Sequence, residues 1–258
     1  MAITLQRIQR FPIKGLSAEQ MPRVTLTPGS GVPGDRMFGF ARHGSGFDPA
    51  NPQPLPKDRF VVLLTQAALA GLKTQFDPET RQLEIAHADA REAFDMTDEA
   101  ARDRAGAWLS TYIGLMDVSD PQFVSAFPHR FTDVSVVSPQ MMHAVSILNL
   151  SSVRDLATRL DRDIDPARFR ANLEIDGLPP GWELEHIGET LRLGDVSLRL
   201  IKRTKRCAAT EVNPVTAERD LKLPYLLRKE FGHMDMGVYA EVVTGGVLQS
   251  GQKVSIAG

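Results

Sequence analysis

The sequence predicts an α+β fold that is mainly β, with barrel-rich sheet and a few packed helices. Three observations carry this. Short runs of alternating apolar and polar residues recur along the chain. Helical patterns are few and far apart. Thr190–Leu193 and Val196–Leu200 alternate on either side of Gly194-Asp195, a two-residue hairpin turn. At 258 residues the chain is long enough for one large domain or two of ordinary size.

Residues 3–11, 21–27, 36–41 and 60–64 read as short strands. Between the last two, residues 44–57 are rich in Gly, Pro and Asn and read as a loop. Residues 66–76 read as a helix packing through Leu69, Leu72 and Phe76, and residues 82–86 as a further strand. Residues 97–113 place Ala101, Ala105, Trp108, Leu109 and Tyr112 on one face of an amphipathic helix. Residues 117–135 carry few regular signals, and Pro121 and Pro128 bracket a polar stretch. This is the expected crossing between two domains, a barrel-like one at 1–121 and a second at 122–258.

A helix at 152–161 shows Val153, Leu156, Ala157 and Leu160, with Ser151 or Ser152 as its cap. At the start of a following strand, Arg170 and Asn172 alternate with Phe169 and Leu173, so both polar groups are expected on one side. The Gly194-Asp195 hairpin delivers its second strand into Lys202–Arg206. Residues 238–243 and 247–256, joined at Gly245-Gly246, close the fold.

Composition excludes several classes. Hydrophobic residues make up 42% and charged residues 24%, as in ordinary globular proteins. A net charge of -2 gives no global basic field for nucleic acid. No run approaches the roughly 18 apolar residues that cross a bilayer, so no membrane partner is expected. The N-terminal residues lack the apolar core of a secretory leader. A single cysteine rules out a disulfide within the chain and an all-cysteine iron–sulfur or zinc site. A cytoplasmic setting fits best.

That cysteine, Cys207, follows Lys202-Arg203-Thr204-Lys205-Arg206, in which all but Thr204 are cationic. Positive charge nearby favours a thiolate, the form that acts as nucleophile and soft metal ligand. The plain alternative is a small buried hydrophobe. Lys14-Gly15 at a strand end offers a charge and an unobstructed backbone N–H to an anion, or is a solvated lysine at a turn. Gly29–Arg36 is a glycine-rich turn whose Arg36 either forks onto a phosphate or pairs with Asp35. It lacks the spacing of a phosphate-binding loop.

Lys14-Gly15, Gly34-Asp35-Arg36, Arg168-Phe169-Arg170-Ala171-Asn172, Trp182-Glu183, Arg206-Cys207, Gly237-Val238-Tyr239 and Gly251–Val254 occur in an order that resembles MOSC domain proteins (molybdenum cofactor sulfurase C-terminal) preceded by a β-barrel N-terminal domain. The nearest resemblance is to molybdenum enzymes of the amidoxime-reducing component type. It implies the molybdenum cofactor (Mo-molybdopterin), with Cys207 as metal ligand. Lys14, Gly15, Arg36, Arg170 and Asn172 would hold the pterin and its phosphate, and Asn149, Ser151 and Ser152 would approach them at a helix start. Lys205, Arg206 and Thr210 are candidate donors near the metal. Pyridoxal phosphate binding attaches to the family only at large. Gly15 and Asn149 stand where relatives often carry serine, and Asn213-Pro214 where Asp-Pro is more frequent.

The resemblance implies reduction of a small N-hydroxylated substrate. The chain has neither a dinucleotide fingerprint nor cysteines for a ferredoxin-like cluster, so an external iron–sulfur or flavin protein is expected to supply electrons. A cofactor or sulfur carrier would share every binding residue. A cysteine hydrolase would need a partner among His43, His87, His129, His143, His186 and His233, none of which has a local pairing signature.

Overall fold

Period-two alternation shapes several strands of the computed structural model, which describes residues 2–256. In β1 (Thr4–Arg10) a register shift between Leu5 and Arg7 interrupts that alternation, so Leu5 and Ile8, three positions apart, are both buried. Then come β2 (Glu19–Met21), β3 (Arg23–Leu26) and β4 (Phe38–Ala41). Next, β5 (Lys73–Phe76), β6 (Gln82–His87) and β7 (Ala90–Asp95) form an antiparallel meander. The longest helix, α1 (Glu99–Ile113), is capped by the Asp98 carboxylate and stopped by left-handed Gly114. Beyond it, β8 (Gln122–Ser125) pairs with β4.

After the short α2 (Pro139–Met142), the strands β9 (Val145–Asn149) and β10 (Leu173–Asp176) run parallel, connected through α3 (Leu150–Leu160). The single turn α4 (Trp182–Glu185) leads into the hairpin of β11 (Thr190–Leu193) and β12 (Val196–Lys205). Then follow α5 (Leu223–Phe231), β13 (Asp235–Thr244), β14 (Gly246–Gln249) and β15 (Ser255–Ile256).

The largest sheet has the order β15-β11-β12-β13-β9-β10-β1-β2. The fold is α+β and mainly β, as expected. The sheet has two ends, and among the described residues no closed barrel forms. The segment before β15 turns at Gly251 and reaches the start of β1 through the bridge of Thr4 to Lys253 and backbone hydrogen bonds from Leu5 N to Gln252 O, Gly251 N to Leu5 O and Val254 N to Ile3 O. The curl still encloses a core that includes Leu5, Ile147, Leu198 and Val238. A second core joins α1 to the meander through Leu83, Ile85, Ala105 and Leu109.

Several elements differ from expectation. Residues 60–64 form no strand; Phe60 makes one bridge to Ala41 before a turn. Residues 66–76 are a 3-10 turn (Ala67–Gly71) followed by β5, because Leu72 turns to extended backbone. The α3 cap is Asn149, not Ser151 or Ser152. The strands also cross the expected boundary at 121/122. β1 pairs with β10 and β3 with β14, while β8 pairs with β4.

Candidate functional site

Four polar segments meet where β12 ends. Cys207 follows β12 and opens a 3-10 turn, Ala208–Glu211. The Thr210 hydroxyl donates to the Cys207 carbonyl at 2.9 Å, which fixes that turn. Arg219 holds it from outside. Its guanidinium donates to Ala208 O at 2.5 Å and to Leu63 O and Leu64 O at 2.9 and 2.7 Å, tying the cysteine turn to the first half of the chain.

The cleft in front of Cys207 encloses about 340 Å³. Lys14, Gly15, Arg36, Arg170, Asn172, Lys205, Arg206, Cys207 and Thr210 all line it, although Lys14 and Thr210 are far apart in sequence. Asn149, Ser151 and Ser152 do not line it, which corrects the expectation for these three. Their polar atoms serve the fold. Asn149 Nδ2 donates to Glu183 Oε2 at 2.9 Å, Ser152 Oγ to Glu183 Oε1 at 2.9 Å, and Ser151 Oγ to Asp176 at 3.4 Å.

Arg170 reaches the cleft by a route other than strand alternation. It ends the 3-10 turn Pro166–Phe169 in left-handed backbone, φ 51°, three residues before β10 begins. Its guanidinium lies 4.3 Å from the Phe11 ring centre and donates to Leu16 O at 2.7 Å. Arg36 sits over the same ring at 4.6 Å and pairs with Asp35 at 2.6 Å. Burial, together with the charge of Arg36, pushes Arg170 down to about 9. Asn172 is buried, and its amide oxygen accepts from Ser146 Oγ at 2.8 Å.

Arg206 donates to Met236 O and Phe169 O at 2.7 and 2.9 Å, and burial pushes it down to about 10. Its Nη2 is buried without a hydrogen-bond partner among the described residues, as are Thr204 Oγ1 and Arg168 Nε, which also belong to cleft-lining residues. Unsatisfied buried polar atoms are costly, and these three belong to residues around one cleft.

Two residues with no signal in the sequence complete the site. Lys57 Nζ donates to Cys207 Sγ at 3.1 Å and lies 3.6 Å from Asp133 Oδ2. Asp133 Oδ1 accepts from the buried Lys14 Nζ at 2.6 Å. Burial works against the Asp133 charge, but Lys14, Lys57 and Arg36 outweigh it and hold the carboxyl well below the usual range. Burial lowers Lys14, with Asp133 opposing. Nine lysines and arginines line the cleft against one carboxylate, Asp133. Among the described residues no histidine lines it, so the hydrolase reading finds no imidazole partner for Cys207 in the cleft.

Residues 129–255 match the family model for the MOSC domain. The chain is 31% identical over 141 residues to a molybdenum cofactor sulfurase of Caenorhabditis briggsae, covering 53% of this chain and 18% of the relative. It is 28% identical over 120 residues to mitochondrial amidoxime-reducing component 1 of Homo sapiens, covering 45% of this chain and 35% of the relative. The solved structure of the YUAD protein from Bacillus subtilis aligns over 98% of this chain and 94% of its own, with a TM-score of 0.44 and 13% identity. The chain thus spans well under two thirds of either curated relative.

Proposed function

We propose that the cleft holds the molybdenum cofactor with Cys207 as protein ligand to the metal, a reading supported by the match of residues 129–255 to the family model for the MOSC domain. The loaded protein would reduce small N-hydroxylated substrates with electrons from a separate iron–sulfur or flavin protein. The observation that carries this reading is the convergence of the one thiol with nine cations around a cleft that holds a single carboxylate.

The residues fit such a group. Among the described residues no cluster of three or more His, Cys, Asp or Glu can hold a metal ion alone. A metal at Cys207 therefore brings its other ligands with it, as a metal in a chelating organic cofactor does. Among the described residues Arg170 and Arg206 donate only to backbone carbonyls, and a fork of guanidinium N–H groups suits a phosphate. Lys14 and Arg36 add charge beside them.

When bound, the cofactor supplies two-electron redox chemistry and exchange of an oxo or hydroxo group. The chain's own residues do the rest. Lys57 keeps a proton on Nζ beside the sulfur and orients the Cys207 side chain. Asp133 holds Lys57 and Lys14 in place through ion pairs. Thr210 and Arg219 fix the turn that presents Cys207. The Thr210 hydroxyl is committed to the Cys207 carbonyl and Lys205 is exposed at the end of β12, which leaves Lys57 and Arg206 as the donors beside Cys207.

The likeness to a molybdenum cofactor sulfurase favours a second reading, a carrier that holds the cofactor or passes its sulfur without turnover. Assay of fully metallated protein separates the two. Benzamidoxime should be reduced with reduced viologen as donor and not with NADH alone. No turnover with viologen would leave the carrier reading standing, and turnover with NADH alone would contradict the need for a separate donor protein.

A further inference from the structure

We propose that the outer rim of the cleft selects N–O substrates that carry a negative charge, a phosphate or carboxylate on the same molecule. This rests on reading the cleft as an N–O-reducing site. Two groups stand out among the nine cations there. Lys14, Arg36, Arg170 and Arg206 are buried or half-buried at the floor and suffice for a cofactor phosphate. Lys202, Arg203 and Lys205 are exposed on the last turn of β12 and line the same cleft.

Among the described residues none of these three makes an ion pair. Arg203 Nε donates only to Leu184 O, and Asp235, opposite Lys205 in the ladder, forms no salt bridge with it. Thr204, between them, is 4% exposed, lines the cleft, and has an Oγ1 without a partner. The chain as a whole has a net charge of -2, so this concentration of positive charge is local. A cleft lined by one sign of charge raises the local concentration of the opposite ion.

Chain length sets the size of the molecule that fits. Lys205 is two residues and Lys202 five residues from Cys207. At no more than about 3.6 Å per residue, their Cα atoms lie within about 7 and 18 Å of the cysteine. An anionic group bound at the rim can then sit on the same small molecule as the reacting N–O group, no more than about 18 Å away. Small amidoximes without a charge would leave the rim unused.

The test compares benzamidoxime with 4-carboxybenzamidoxime on fully metallated protein, by turnover with reduced viologen and by calorimetric binding. Wild type should prefer the carboxylated compound. The preference should fall about 3- to 10-fold in Lys202→Gln/Lys205→Gln, the scale of two exposed ion pairs. It should vanish in Lys202→Glu and shrink as salt rises. Equal handling of the two compounds by wild type would overturn the proposal, as would a preference that survives in both variants. It would also be overturned if the variants left both substrates unchanged but raised the KM for an acidic ferredoxin-type donor, since the rim would then be a docking surface for that protein. If neither compound turns over, the reductase reading fails, and binding alone decides the rim: tighter binding of the carboxylated compound supports it, and equal binding removes it.

Discussion

Asp133 sets the balance of the cleft, because it is the one acid among so many cations. It pairs with the buried Lys14 at 2.6 Å and with Lys57 at 3.6 Å. Its carboxyl titrates below its value in the unfolded chain, so the stability it contributes is present above the ordinary Asp range, about pH 4, and is lost as pH falls from there through the folded value. Asp133→Asn should lower the urea midpoint at pH 7, since Lys14 is left facing Phe131 O with Arg36 and Lys57 nearby. The gap from wild type should narrow as pH falls below about 4. A gap that is constant across this window would show that the ion pair contributes no pH-dependent stability. Asp133 and Lys57 were not legible in the sequence. Their partners lie 119 and 150 positions away, and no local pattern marks either residue. Lys14, Arg36, Arg170, Arg206 and Cys207 were legible because each sits in a short motif with its neighbours.

At the scale of elements, β1 hands the chain to the cleft through Gly15. Its φ is 84°, and a Cβ there would meet Val61 O at 2.6 Å. Serine at this position, frequent among relatives by the resemblance, does not fit this backbone. Gly15→Ser should destabilise the protein by about 1–3 kcal/mol through backbone strain alone. Thermal unfolding checks this, and an unchanged midpoint would mean that the turn relaxes freely. The elements that followed a clear period were legible, among them α1 with its apolar face and the β11–β12 hairpin with its two-residue turn. α5 carried a signal that sequence reading passed over, with Pro224 in its first turn, Leu223 and Leu227 one turn apart and Gly232 after its end. Residues 60–64 misled for a physical reason. Val61 and Val62 are apolar because they pack in the core beside a turn, so burial and strand pairing were not the same signal.

At the scale of the whole molecule, the mainly β class followed from many short strands and few helices. What sequence reading did not give is how the halves interlock: β1 and β3 pair with strands from the C-terminal half, and the cleft is lined from both. Such pairings are non-local, and period-two patterns say which face is buried but not which strand lies alongside. Among the described residues no helix is long and apolar enough to cross a membrane. The central claim is that this shared cleft holds a molybdenum cofactor through Cys207. The measurement that tests it most directly is elemental analysis of protein purified from a cofactor-competent host, comparing wild type with Cys207→Ala. Near-stoichiometric molybdenum in wild type and its loss in the variant is the predicted result. Full molybdenum occupancy in Cys207→Ala, or a metal-free wild type, would contradict it.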